Sequence, residues 1–185
     1  MTSTLVLGSD GSGVARHATS LLRGHDAVTC LVTASPPVPA GIADFRERLG
    51  QVPGERPEGW TEVPVTSLAM ALLASRRPVL LSSVPDWLWS VVEAEGLWAD
   101  PRAAARHIDP MLEEAAVALR AVPFDVVLMS NEPAAPTAPD DRDTLLLAEL
   151  LGVANTRLSA ACAQVHVVTA GRVLDLSGAR PVPAG

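Results

Sequence analysis

The residues with the most chemical content stand near the N-terminus, in Leu5-Val6-Leu7-Gly8-Ser9-Asp10-Gly11-Ser12-Gly13-Val14-Ala15-Arg16-His17. A short apolar run breaks into glycines, and a helix-like pattern follows. A loop that cradles the phosphates of a nucleotide needs Gly-x-x-x-x-Gly-Lys-Ser/Thr after a strand. Its glycines let backbone N–H groups surround the phosphates, its lysine supplies a cation, and its hydroxyl ligates magnesium. Gly8 and Gly13 stand at that spacing, but Val14 and Ala15 fill the places of the lysine and the hydroxyl. Gly8 to Arg16 are therefore the candidate nucleotide-binding loop, with its backbone pattern kept and its side-chain chemistry lost. Asp10 adds a negative charge where a polyphosphate is expected. Arg16 is placed to meet a phosphate at the helix start, and reads equally as an exposed helix residue.

No lysine elsewhere in the chain can replace the missing one, because all 14 basic residues are arginine. Schiff-base and lysine-nucleophile chemistry are excluded with it. The 185 residues suit one domain, and 48% hydrophobic content with a mean hydropathy of +0.26 argues for a packed core. The net charge of −7 speaks against nucleic-acid binding. No apolar run is long enough to span a membrane, and no basic leader opens the chain, so the expectation is a soluble cytoplasmic protein. Cys30 and Cys162 lie in apolar segments and read as buried reduced thiols, without metal-ligand spacing.

The elements that must position the loop follow in order. Short apolar runs predict strands at 4–8, 27–33, 78–83, 124–130 and 165–169. An edge strand is expected at 60–65 and a final hairpin at 171–176. Helices are expected over 12–22, 42–49, 66–75, 85–96, 100–121 and 142–163, with Asp100 as an N-cap and Pro85 in a first turn. The glycine- and proline-rich stretches 50–59 and 131–141 read as loops. Buried strands alternating with helices call for an α/β fold, a mostly parallel sheet covered on both faces, in one domain over 1–176 with a flexible tail at 177–185. Ligands of such sheets bind beyond the carboxyl ends of the strands, where the first glycine turn lies.

These residues together resemble the adenosylcobinamide kinase/adenosylcobinamide-phosphate guanylyltransferases of cobalamin biosynthesis. The resemblance is carried by Gly8 to Ala18 (GSDGSGVARHA), by Arg56-Pro57 with Trp60, and by Val126 to Glu132 (VVLMSNE). It continues through Pro139 to Arg142, then Gly152, Asn155, Leu158, Ala160 and Gly171. It implies a P-loop α/β domain, usually a small homo-oligomer, with GTP or ATP and a corrinoid as ligands. The implied reactions are phosphorylation of the aminopropanol hydroxyl of adenosylcobinamide and transfer of GMP onto that phosphate through a guanylylated histidine.

The departures from the family fall on the chemistry. Val14 replaces the ammonium and Ala15 the magnesium-binding hydroxyl, which weakens any hold on magnesium. Gln51 and Val52 stand where the resemblance places the guanylylated histidine, and neither forms a phosphoramidate. Ser82 replaces the acid expected at the end of the third strand, and Pro133 to Pro136 replace a glycine-rich path. No catalytic residue and no metal ligand is assigned.

Gln51, Val52, Arg56, Ser82, Asn131, Glu132 and Arg142 remain as further site candidates. For Asn131 and Glu132 a capping role stays open beside a functional one, and Arg142 reads first as a residue of a capped helix turn. His17 reads as a helix-surface histidine one turn past the loop, and His166 as a satisfied sheet histidine. Of Trp87 and Trp89, two apart on one helix, one is expected in the core. Two readings stand: a catalytically impaired member of the family, or a nucleotide- or corrinoid-binding pseudoenzyme partnering an active paralogue.

Overall fold

The computed structural model describes residues 1–9, 11–33, 57–132, 142–180 and 182. The helix expected at 42–49, most of the loop at 50–59 and the stretch 133–141 lie outside them. Seven strands form one sheet: β1 (Ser3–Gly8), β2 (Thr29–Val32), β3 (Thr61–Pro64), β4 (Val79–Leu81), β5 (Val126–Ser130), β6 (Gln164–Thr169) and β7 (Arg172–Asp175). Their order is β3-β2-β4-β5-β1-β6-β7. Every pairing is parallel except the terminal β6–β7 hairpin. The glycine loop therefore leaves β1 between β5 and β6, with two strand ends beside it.

The helices are α1 (Val14–Leu21), α2 (Leu68–Ala74), α3 (Val84–Ala94), α4 (Pro101–Ala121) and α5 (Arg142–Ala161). Three of them start on side-chain caps that accept a first-turn N–H: Ser67 from Met70, Ser83 from Asp86 and Asp100 from Ala103. Helix α1 starts two residues later than its apolar pattern suggests. Gly11 (φ 77°) and Gly13 (φ 101°) hold the left-handed backbone there, which extends the loop into the expected first turn.

Successive residues of a strand face opposite sides, so the sheet separates two cores. Leu5, Leu7, Leu31, Leu81 and Leu128 pack on one side against residues of α2 to α5. Val6, Cys30, Leu80, Val127 and Val168 pack on the other against Ala18 and Leu22, on and just beyond α1. Both faces are covered, as the unbroken apolar strands require. On the outer surface Arg157 of α5 bridges Asp109 (2.7 Å) and Glu113 (3.0 Å) of α4, an exposed pairing of small energetic weight. Residues 177–180 continue from β7 in a turn, with the Ser177 hydroxyl accepting from the Val165 N–H.

Cys30 is buried and Cys162 partly buried, and neither forms a disulfide. Burial pushes the Cys162 thiol up to about 12, so it stays protonated and inert at neutral pH. Trp87 is the fully buried tryptophan of its pair. Trp89 instead packs against Trp98, at 6.5 Å between ring centroids.

Candidate functional site

Gly8 ends β1 because the chain has no room there for a side chain. A Cβ on Gly8 would lie 2.5 Å from the Val168 carbonyl oxygen and 2.8 Å from both Ser12 Oγ and Val14 Cγ2. The loop then turns tightly, with the Ser12 N–H donating to Ser9 O at 3.0 Å. Gly13 caps α1 in the left-handed conformation without a side-chain cap bond. The first-turn N–H groups of Val14, Ala15 and Arg16 find no acceptor among the described residues, and the first turn holds no acid. Unpaired N–H groups at a helix start, with the positive end of the helix dipole, favour an anion. The Ser12 hydroxyl adds to it: it is buried, yet has no hydrogen-bond partner.

Two neighbours hold this loop in place. The Gly171 N–H, in the β6–β7 turn, donates to Ser12 O at 3.2 Å. On the other side the Asn131 amide, oriented with its NH2 toward the loop, donates to Gly8 O at 3.1 Å and Ser130 O at 3.3 Å. Asn131 is in turn fixed by Asn155 of α5, whose amide donates to Asn131 O at 2.9 Å and accepts from the Ser130 hydroxyl at 2.6 Å. Asn131 thus acts as a tether of the loop. Glu132 follows it at the exposed end of the strand.

Replacing Asn155 with alanine leaves a buried hydroxyl and a strand-end carbonyl unpaired. Equilibrium urea unfolding should show a loss of about 1–3 kcal/mol. An unchanged midpoint would mean that the Ser130–Asn155–Asn131 chain of hydrogen bonds contributes nothing net.

Two of the remaining candidates, Ser82 and Arg142, make their contacts elsewhere. Ser82 spends its hydroxyl and its N–H on Leu31 O (2.8 and 3.1 Å), tying β4 to β2. Arg142 opens α5 and lines a cleft of about 560 Å³ with Trp98, Pro101, Leu145, Leu146 and Glu149, among others, and no described residue of the loop lines that cleft. Asp10, Gln51, Val52 and Arg56 lie outside the described residues. Val14, in the lysine place, is half-buried and packs on the α1-side core. Its Cγ2 lies 2.8 Å from where a Cβ on Gly8 would stand.

Sequence reasoning missed one pair. His17 Nε2 and His166 Nδ1 lie 2.9 Å apart, linking α1 to β6. His17 is half-buried against buried His166, and the alternation Val165-His166-Val167 was the available hint of a polar side chain facing α1. Burial first, and the field of His166 second, hold His17 below the usual histidine range. Asp175 stands opposite His166 in the β6–β7 register.

A neutral pair needs one ring nitrogen donating and the other accepting. The unfolded chain takes up a proton on His17 near its ordinary value of 6.5, and the folded chain resists it. Stability should therefore be level above pH 7 and fall as the pH drops through 6.5 toward 5. Thermal melts of the wild type and His17→Gln over that range check this, since the variant should lose most of the slope between pH 7 and 5.5.

A sequence profile of the cobinamide kinase/cobinamide phosphate guanyltransferase family matches residues 4–176. The chain belongs to that family. It is similar to the bifunctional adenosylcobalamin biosynthesis protein CobU of Salmonella typhimurium, with 28% identity over 178 residues, 90% of this chain and 95% of the other. Among solved structures, a Pyrococcus horikoshii OT3 protein superposes over 97% of this chain and 87% of its own, with a TM-score of 0.50 at 8% identity, which is a likeness of fold alone. An ATPase of a bacterial type III secretion system gives a TM-score of 0.48 at 10% identity, and this chain spans 51% of its length.

Ala15 brings no side-chain oxygen to the place of the magnesium-binding hydroxyl, and no group of three or more His, Cys, Asp or Glu side chains is arranged for a metal among the described residues. No helix among them is long and apolar enough to cross a membrane.

Proposed function

We propose that this family member holds the phosphates of GTP or ATP on the Gly8–Arg16 loop, in the service of cobalamin nucleotide-loop assembly, with phosphoryl and guanylyl transfer impaired. The observation that carries the reading is the state of the loop. Its first-turn N–H donors meet no acceptor among the described residues at a start of α1 that has no side-chain cap, while Val14 and Ala15 fill the two catalytic places. Holding a phosphate needs only aimed donors and the helix dipole. Transferring it needs charge stabilisation at the moving phosphoryl group, and each such group is worth about 3 kcal/mol or more. Loss of both groups predicts a rate lower by several orders of magnitude. Gln51 and Val52, at the place of the guanylylated histidine, remove the covalent route as well.

A second reading makes the chain a non-catalytic nucleotide- or corrinoid-binding partner of an active paralogue. The absence of any lysine, which leaves no substitute lysine anywhere in the chain, favours it over a slow enzyme. Titration calorimetry with GTP, ATP and cobinamide, followed by a radiolabel assay for an acid-labile GMP adduct, tests both readings. Binding without adduct or turnover is the expected result. A stable adduct, or turnover matching an intact family member, would overturn the loss of catalysis, and absence of any nucleotide binding would overturn the cradle.

A further inference from the structure

Helix α4 carries a charged flank toward one neighbour and a mixed stripe toward the other. Asp109 and Glu113 bind Arg157 of α5, so that flank of α4 faces α5. Glu114 lies one position further on, about 100° around the helix and away from α5. From Glu114 the stripe runs through Val117 to Ala121, at the i, i+3 and i+7 spacing of one helix face, and all three residues are exposed. It ends at a hollow of about 270 Å³, lined by Leu73, Arg76, Ala121, Val122 and Phe124, among others. Ser75, also in the lining, donates its hydroxyl to Arg77 O, which leaves Arg76 as the charged group there.

Neither Arg76 nor Glu114 makes an ion pair among the described residues. A largely apolar hollow with one cation suits an aliphatic stem that ends in a carboxylate, and a glutamate is such a stem. Within the chain, seven residues of helix set Glu114 about 10 Å from Ala121 at the hollow. Two copies of the chain bring them together by symmetry. A two-fold axis midway between Glu114 and the hollow lays each on its counterpart in the second copy, whatever the distance between them. The midpoint of 114–121 falls at Val117, which is 58% exposed. On α2, which packs against α4, Met70 is 67% and Leu73 58% exposed. An apolar centre with charged groups around it is how protein interfaces are built.

We propose that this face of α2 and α4 docks a second copy of the chain, in an isologous dimer where Glu114 of each copy enters the partner's hollow beside Arg76. The occupant is the same chain because the surface carries both halves of the contact, a cation in a hollow and a carboxylate, on either side of Val117. The interface is small, so the dimer is weak, with a Kd on the order of 10 µM. Added salt weakens it further by screening the exposed charges. Helix α1 packs on the other face of the sheet, so assembly does not depend on a ligand at its loop.

Sedimentation velocity over a concentration series measures the dimer for wild type, Glu114→Arg, Arg76→Glu and Arg23→Glu. Arg23 is exposed beyond the end of α1, away from this face, and serves as the control. Either reversal at the interface sets like charges together at both contacts, and should raise Kd about tenfold or more. The control should change Kd by no more than about twofold. Mixing the Glu114→Arg and Arg76→Glu chains should restore the wild-type affinity. In the mixed dimer the two reversed side chains meet each other and the two native ones meet as well, so opposite charges face at both contacts. Val117→Asp, which sets two carboxylates together at the axis, should leave a monomer. Circular dichroism melts check that each variant folds. A wild type that stays monomeric at about 0.1 mM, ten times that Kd, would overturn the proposal. An oligomer indifferent to both reversals, or one that keeps its size in Val117→Asp, would overturn it too. So would dissociation of both reversed chains without recovery on mixing, because Glu114 and Arg76 would then not face each other.

Discussion

Restoring Val14→Lys together with Ala15→Ser should raise the affinity for GTP by about ten- to a hundredfold, on the scale of one charged hydrogen bond, and should make that affinity sensitive to EDTA. The backbone frame for both side chains is in place. Gly8 is packed against Val168 O, Gly13 holds its left-handed turn, and Asn131 and Gly171 fix the loop from either side. Val14 is half-buried over Gly8, and a lysine stem follows the same apolar path while its ammonium reaches past it. The serine returns an oxygen to the magnesium position. Each single change should do less than the pair, because the metal and the ammonium act on the same phosphate oxygens.

Titration in magnesium and in EDTA measures the gain, and a phosphorylation assay with cobinamide tests whether the kinase step returns with it. No GMP adduct should appear in any of these variants, since no histidine stands at Gln51 or Val52. If the double variant binds GTP no better than the wild type, the loop does not have phosphate-binding geometry, whatever its glycine spacing.

Much of the scaffold was legible in the sequence because it rests on local chemistry. The runs at Val79–Leu81 and Val126–Ser130 are apolar on both faces and bounded by turn residues, which is how a strand between two helical layers must read. Asp100 announces α4 through a bond made three residues away. The loop was half legible. Its glycines and its missing lysine show in the letters, but the burial of Ser12 Oγ and the lie of Val14 over Gly8 follow from how closely β6 approaches.

What stayed hidden depends on distant residues. His17 meets His166 across 149 positions, and Ser130 meets Asn155 across 25. Neither pairing has a local signature beyond a polar residue on an apolar stripe, as Asn155 is between Leu151 and Leu158. Asn131 was open between ligand and cap from sequence, and the geometry makes it a tether of the loop. Ser82, named because the resemblance places an acid at the end of the third strand, donates its hydroxyl to Leu31 O, a partner 51 positions away.

Trp87→Ala should produce the largest loss of stability of any single change considered, about 3–5 kcal/mol, the scale of truncating a large buried aromatic. The side chain is fully buried in the larger core, between the sheet and the helices of that face. Its Nε1–H donates to Thr66 O at 2.9 Å, so truncation opens a cavity and also strands a carbonyl. Trp87→Phe separates the two costs: it keeps much of the volume and loses only the hydrogen bond, and should destabilise by about 1–2 kcal/mol. Trp89→Ala is the internal comparison, because Trp89 is only partly buried and lies beside Trp98. Its loss should be well below that of Trp87→Ala in the same urea titration. For a chain of this size, 3–5 kcal/mol corresponds to a fall in Tm of roughly 6–20 °C, large enough to separate the variants by thermal melting. Equal losses at the two tryptophans would mean that the core is not centred on Trp87, and that the sheet face carrying α2 to α5 is packed differently from the arrangement described.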